Sequence, residues 1–261
     1  MKHVARIMPA LLLCSILCAG CFVKEDRRFC PCRLFLDLSS IDISCVDSVT
    51  LVGMCDGVEV ISQTIHSESF VNEYEVLVPR TKNMRLKLLS GSSGFRNDGE
   101  SLIIPFGMDC PPVYMENLVI DTECEIMKKK VSLHKNFCRL TVHLVDGQNF
   151  PYILSVRGGV DGYLFDGSPS EGRFYSHATE YGNGSFMVVL PRQIDGSLTL
   201  DIDDESNVLK SFALGEILNG CGYNWNAPDL EDITVGLDYS RTNMTIMIQN
   251  WEKVYEFDFV I

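Results

Sequence analysis

Five residues, Val76-Leu77-Val78-Pro79-Arg80, return almost unchanged as Val188-Val189-Leu190-Pro191-Arg192. Other markers flank both copies in the same order. Cys32-Arg33-Leu34 precedes the first and Cys138-Arg139-Leu140 the second, and a Gly-x-x-Asp-Gly motif follows each at Gly53–Gly57 and Gly158–Gly162. Seven residues past each proline a Leu-x-Leu pair opens, Leu86/Leu88 and Leu198/Leu200. Four markers in one order indicate an internal duplication. Its period has the size of a small domain, not of a solenoid repeat. The chain is therefore expected to fold as two related domains in tandem, residues 30–129 and 130–261, joined near Lys128–Lys130 by a solvated linker.

Each copy is written in short runs with apolar residues at alternate positions, separated by Gly, Asp, Asn or Pro. Leu34, Leu36 and Leu38 share one face of the first run, and Leu140, Val142 and Leu144 share one face of its counterpart. A period of two is what a half-buried strand requires. Only the stretch Ser211–Gly220 reads as a helix. The expected class is all-β, with about seven strands per copy arranged as a two-sheet antiparallel sandwich. Proline cannot donate to a ladder, so Pro79 and Pro191 are expected to close strands, with Arg80 and Arg192 projecting into solvent. The Gly-x-x-Asp-Gly motifs are expected to be turns.

The formal net charge is -13. A surface that binds nucleic acid needs Lys and Arg in excess, which this chain lacks. Lys2, His3 and Arg6 precede an apolar run that ends in the small residues Ala19 and Gly20, directly before Cys21. Residues 1–20 thus read as an export signal. The junction resembles the site at which a lipoprotein signal peptidase cuts and Cys21 is acylated. Residues 21–29 would then be a lipidated tether, since acyl chains bind a bilayer through each buried methylene. The Lys24-Glu25-Asp26 run is similar to the acidic tag that carries Bacteroidetes lipoproteins to the cell surface.

Eight cysteines follow Cys21, namely Cys30, Cys32, Cys45, Cys55, Cys110, Cys124, Cys138 and Cys221. In an exported chain they allow a disulfide framework with 105 possible connectivities, among which the sequence does not choose. The five histidines are scattered, so no metal site is expected. No nucleophile elbow, phosphate loop or dinucleotide fingerprint is present, and neither a catalytic residue nor a cofactor is assigned. The acidic runs Asp201–Ser206 and Asp229–Asp232 lack calcium-loop spacing and read as solvated turns. Trp225 and Trp251, with Tyr223, Tyr239 and Tyr255, could stack on a sugar or pack in a core.

Cys30–Ser40, Val131–Leu144, Gly222–Trp225, Asp229–Ser240 and Met244–Trp251, behind the acylation motif, together resemble the fimbrial anchor and accessory lipoproteins of Bacteroidetes, over nearly the whole mature chain. The resemblance implies two transthyretin-like β-sandwich domains, no enzymatic activity, and a place at the base of or within a surface fimbria, lipid-anchored to the outer membrane. Fimbrial structural and accessory subunits would be its partners, bound by strand exchange.

Strand exchange inserts an extended segment of one subunit into the sheet of another, with alternate side chains filling pockets. In the last run Tyr255, Phe257, Phe259 and Ile261 would share one face, suited either to donation or to pairing within its own domain. No Lys or Arg lies between Leu34 and Pro79. A protease specific for basic residues could not detach the first strand by cutting just after it, so that strand is expected to be retained. The alternative reading is a surface lipoprotein that binds glycan.

Overall fold

The computed structural model describes residues 30–97, 101–144, 151–182, 184–204, 207–238, 243–248 and 255–258. Cys21, Trp251, Phe259 and Ile261 lie outside them, as does Tyr239. The described chain is all-β apart from one α-helix, α1 (Leu214–Gly220), and a single short 3-10 turn. The helix falls where the sequence places it and buries Leu214, Ile217 and Leu218.

The duplicated motifs occupy equivalent places. β1 (Cys32–Asp37) lies between β4 (Tyr74–Val78), antiparallel, and β9 (Ile126–Lys130), parallel. β11 (Phe137–Leu144) lies likewise between β15 (Ser185–Pro191), antiparallel, and β18 (Ile233–Asp238), parallel. Register agrees too: Cys32 faces Val78 and Leu34 faces Val76, while Cys138 faces Leu190 and Leu140 faces Val188. Both prolines end their strands, as expected for a residue with no N–H to give.

A second sheet stands against each of these. In the first copy its order is β10 (His134–Lys135), β8 (Tyr114–Ile120), β5 (Met84–Ser90), β2 (Ser48–Cys55) and β3 (Val58–His66). Leu34, Leu36, Val49, Leu51, Leu86 and Leu88 meet between the two sheets, each at most 1% exposed. In the second copy β12 (Ile153–Leu164) pairs with β13 (Pro169–His177) on one side and with β16 (Thr199–Asp203) on the other, and β17 (Val208–Phe212) follows β16. The sheet of β11 continues at one end through β14 (Thr179–Gly182) and at the other through β19 (Asn243–Ile248) and β20 (Tyr255–Asp258).

Two expectations are corrected. Lys128–Lys130 is not a linker but most of β9, and its lysines guard the outer edge of a sheet against pairing with other chains. Of the two Gly-x-x-Asp-Gly motifs only the first is a turn. Asp56 and Gly57 both have positive φ, 51° and 80°, as a two-residue hairpin loop demands. Gly158–Gly162 instead lies inside β12, where the register shifts twice. A side chain at Gly162 would collide with the carbonyl of Leu102, so the glycine serves close strand approach there.

The two copies also share a sheet. β6 (Arg96–Asn97) and β7 (Ser101–Ile103) precede the expected junction, yet β7 pairs with β12 and extends the second copy's sheet. Backbone bonds Ile104 N to Asp161 O (2.7 Å), Gly107 N to Tyr175 O and Cys110 N to Val189 O (both 3.0 Å) continue the stitching. Leu102, Ile104, Cys110 and Val113 are buried in the second core. The apolar run around Leu102–Phe106 finds its burial in the other copy, which explains why local periodicity identified a strand and not its partner. In return, the β12–β13 loop reaches the first copy, where Lys87 Nζ lies 5.3 Å from the Phe165 ring centroid.

Candidate assembly surface

β1 fills the centre of its sheet. Its inward residues Leu34 and Leu36, and Leu38 just beyond its end, are fully buried. Full burial of such a side chain stabilises by about 1.5–3 kcal/mol, so withdrawing the strand would open an apolar groove at a cost of several such terms. On its outer face Arg33 clasps Glu75 of β4 through two parallel bonds, Nε to Oε1 at 2.6 Å and Nη2 to Oε2 at 3.0 Å. This clasp holds the Glu75 carboxyl below its usual range. Lys128 of β9 bonds Glu73, and the Arg33 and Lys128 cations lie 5.1 and 5.9 Å from the Phe35 ring centroid. Such exposed pairs contribute little individually.

The first Lys or Arg after Arg33 is Arg80, at the end of β4. Its side chain is half-buried, and its Nε is buried without a partner. The backbone around it is held by Thr122: the hydroxyl donates to Pro79 O at 2.7 Å and accepts Thr81 N–H at 3.0 Å, and Thr122 N–H donates to Thr81 O at 2.8 Å. Arg192 also fails to project into solvent. It donates from Nη1 to Ala227 O at 2.8 Å and to Trp225 O, from Nη2 to Pro228 O at 3.1 Å, and from Nε to Asn136 Oδ1 at 3.2 Å. A planar guanidinium can reach several fixed carbonyls at once, which lysine cannot. Partial burial lowers its pKa. The repeated Pro-Arg phrase marks a strand end whose arginine turns inward, and its recurrence was the available signal.

At the C-terminal end, β20 pairs through its backbone with β19, Tyr255 facing Ile246 and Phe257 facing Met244. It is the last strand in that sheet's order. The backbone of Tyr255–Asp258 is thus self-paired at a sheet edge, the position from which a segment can also be exchanged.

The other sequence candidates resolve as structural. Trp225 and Tyr223 are 6% and 7% exposed and meet edge to face with centroids 4.7 Å apart, so they form core, not a sugar platform. Asp201 and Asp203 are not in a solvated turn but are buried in β16. Asp201 accepts from the Ser211 hydroxyl at 2.5 Å and pairs with Arg157 at 3.1 Å, while Asp203 accepts from Ser155. Asp229 accepts Lys135 N–H at 2.7 Å, and Asp232 accepts both Lys135 Nζ and Arg139 N–H, which ties the entry of β11 to the start of β18. Among the described residues no cluster of His, Cys, Asp or Glu is arranged to hold a metal ion.

No family model and no curated protein matches the sequence. Solved structures do. The chain superposes on the fimbrial anchor protein Mfa2 of Porphyromonas gingivalis with a TM-score of 0.59 at 13% identity, over 85% of this chain and 98% of that one. A Bacteroides ovatus protein inferred to be an adhesin gives 0.60 at 13% identity, over 90% and 97% of the two chains. A Bacteroides thetaiotaomicron protein inferred to bind polysaccharide gives 0.63 at 13% identity, over 87% and 98%. The chain shares the fold of these three proteins. With 85–90% of this chain covered, the likeness extends over parts of both copies.

Proposed function

We propose that this chain is a non-enzymatic, lipid-anchored surface protein of the outer membrane that anchors or assembles a fimbria. In this reading residues 1–20 are removed, Cys21 is acylated, residues 21–29 tether the fold to the membrane, and two tandem transthyretin-like domains, 30–129 and 130–261, face outward. The observation that carries it is the first strand. β1 has Leu34 and Leu36 fully buried at the centre of a sheet, and no Lys or Arg occurs again until Arg80. A subunit that must be cut to open an acceptor groove needs a basic site behind that strand; an anchor needs the strand and lipid kept together. Tyr255, Phe257, Phe259 and Ile261 are the residues assigned to exchange with a fimbrial subunit, since an edge segment can move from one sheet to another without loss of backbone bonds.

The test is isolation of the full chain from outer membranes through an internal tag, with companions identified by mass spectrometry. A polymeric fimbrial subunit in stoichiometric amount, lost on deletion of Tyr255–Ile261, is the expected result. A lone lipidated monomer overturns the assembly role.

One observation favours a second reading, glycan binding. A cleft of about 370 Å³, lined by Asp42, Tyr114, Lys130, Leu133, His134 and Asp229 among others, has no buried polar side-chain atom left without a partner. A different cleft is lined by Arg157, Tyr175, His177, Asp203, Asp204 and Asn207, and Asp203 Oδ1 there is buried without a hydrogen-bond partner. Aromatic and carboxylate groups in one cleft suit a saccharide. Glycan-array binding that disappears in Tyr175→Ala would support this reading, and an array without signal would remove it.

A further inference from the structure

The chain enters β1 at Cys32 and enters β9 two residues after Cys124. At that point the two backbones run side by side, with Arg33 N–H donating to Glu125 O at 2.9 Å and Arg33 in register with Ile126. Cys32 is fully buried, whereas Cys124 is exposed and directs its thiol to Ile126 O at 3.2 Å. The Cys124 thiol is near enough to Cys32 to help raise its pKa. By that register Cys32 stands opposite Glu125, one residue along from Cys124, and strands about 4.8 Å apart leave such a diagonal pair of Cα atoms within the roughly 4.4–6.8 Å that a disulfide spans. Of the other cysteines, Cys110, Cys138 and Cys221 belong to the second core, whereas Cys32 belongs to the first.

We propose that Cys32 and Cys124 form a disulfide after export, which locks β1 into its sheet. The claim that the bond exists in the cell rests on the exported location proposed above; the claim that the fold brings the pair together does not. The oxidant is a disulfide donor, either a small disulfide or the active-site disulfide of a thiol oxidase. Cys124, the exposed partner, attacks a donor sulfur as thiolate, expels one donor thiol and becomes a mixed disulfide. Cys32 then loses its proton, attacks Cys124 Sγ and expels the second donor thiol. Two protein thiols and one donor disulfide become one protein disulfide and two donor thiols. Burial and the neighbouring Cys124 thiol push the Cys32 thiol up to about 11, so closure is the slow step and quickens as pH rises.

Through this bond β1 gains a covalent tie to the strand beside it. An incoming donor strand could not replace β1 without first reducing it. The inference therefore gives a chemical reason for first-strand retention, separate from the lack of a protease site.

The experiment uses the chain without its export signal, incubated with glutathione disulfide, denatured in maleimide and analysed by intact mass and fragment sequencing. The expected product has lost two hydrogens, has two fewer alkylated thiols, and yields fragments joined between Cys32 and Cys124. Cys124→Ser should abolish the bond, and Cys30→Ser should leave it unchanged. Full alkylation of both residues, a glutathione adduct that never closes, or a bond that survives Cys32→Ser through Cys30 overturns the pairing. Maleimide trapping in intact cells completes the test. Closure in the purified chain with free thiols in cells overturns the bond in the native protein and locates the failure in the export reading, whereas no closure in either locates it in the geometry.

Discussion

Lys87 Nζ donates to the carbonyl of Leu164 at 3.3 Å, reaching from the first copy's sheet to the hairpin loop that the second copy lays upon it. Lys87 is 5% exposed, and Gly167 of the same loop packs so closely on Asn117 that a side chain there would collide. Together with the strands at 96–103, this contact makes the junction a packed interface. Burial pushes the Lys87 ammonium down to about 8, against a smaller upward pull from Asp166.

The pH dependence follows with a definite sign. The folded pKa, about 8, lies below the ordinary lysine value of 10.5, so between those limits the unfolded chain holds more protons. Stability should rise with pH across that window, and below about 8 the burial cost is present in full. Lys87→Met keeps the stem's packing and removes the charge. Its thermal midpoint at pH 7 should exceed that of the parent by about 2–4 °C for each kcal/mol gained, and the difference should shrink towards pH 10.5. Calorimetry of both proteins from pH 7 to 10.5 decides it; a lower midpoint for the variant at every pH would mean that the bond to Leu164 outweighs desolvation.

Arg192 supports the turn at 225–228 from beneath. Its replacement by alanine leaves the carbonyls of Ala227 and Pro228 without their donor and should destabilise by about 2–4 kcal/mol, in line with the loss of charged hydrogen bonds from a partly buried network. Arg192→Lys should recover less than half, because an ammonium cannot hold separate carbonyls in one plane. Urea unfolding gives the free energies, and a red shift of Trp225 emission in the folded alanine variant would report loosening of that turn.

Much of this was legible in the residues. The period-two runs place the strands, and the common order of Cys-Arg-Leu, Pro-Arg and Leu-x-Leu in the two copies anticipates the shared register of β1 with β4 and β11 with β15. What was not legible depends on contacts between copies. Nothing local distinguishes a run such as Ser101–Ile103 that joins its own sheet from one that joins its neighbour's. Arginine after a strand-closing proline reads as solvated until the carbonyls of a distant turn are known to surround it. The lysines of β9 misled for a related reason: a charged edge strand and a charged linker have the same composition, and only the pairing of Met127 with Leu34 separates them.

Burial contrasts within one sheet predict very different costs for similar changes. Leu36 of β1 is fully buried, whereas Leu77 of β4 in the same sheet is 60% exposed. Leu36→Ala should cost about 2–5 kcal/mol through lost transfer energy and the cavity left behind. Leu77→Ala should stay within about 0.5 kcal/mol. Equal losses in chemical unfolding would mean that Leu77 is covered in the protein's assembled state.

Thr122 offers a test of how β4 is guarded. Its hydroxyl and backbone bind Pro79 and Thr81 on either side of Arg80, and the residue is fully buried. Proteases need an extended segment of several residues freed from its bonds, so this clamp should shield the Arg80–Thr81 bond in the folded chain even though arginine is the favoured residue. Thr122→Val preserves shape and removes the hydroxyl. The loss of two side-chain bonds at a buried site should cost about 1–3 kcal/mol. Under native conditions, cleavage after Arg80 then depends on local opening, and each 1.4 kcal/mol lost from the clamp should raise its rate about tenfold. Limited trypsin digestion followed by mass spectrometry reads the site directly. The parent should be trimmed in its tether before any cut at Arg80, and the variant should release a fragment ending at Arg80. Rapid cutting at Arg80 in the parent would show that the clamp does not protect β4, and retention of the first strand would then rest on its buried leucines and the bond at Cys32 alone.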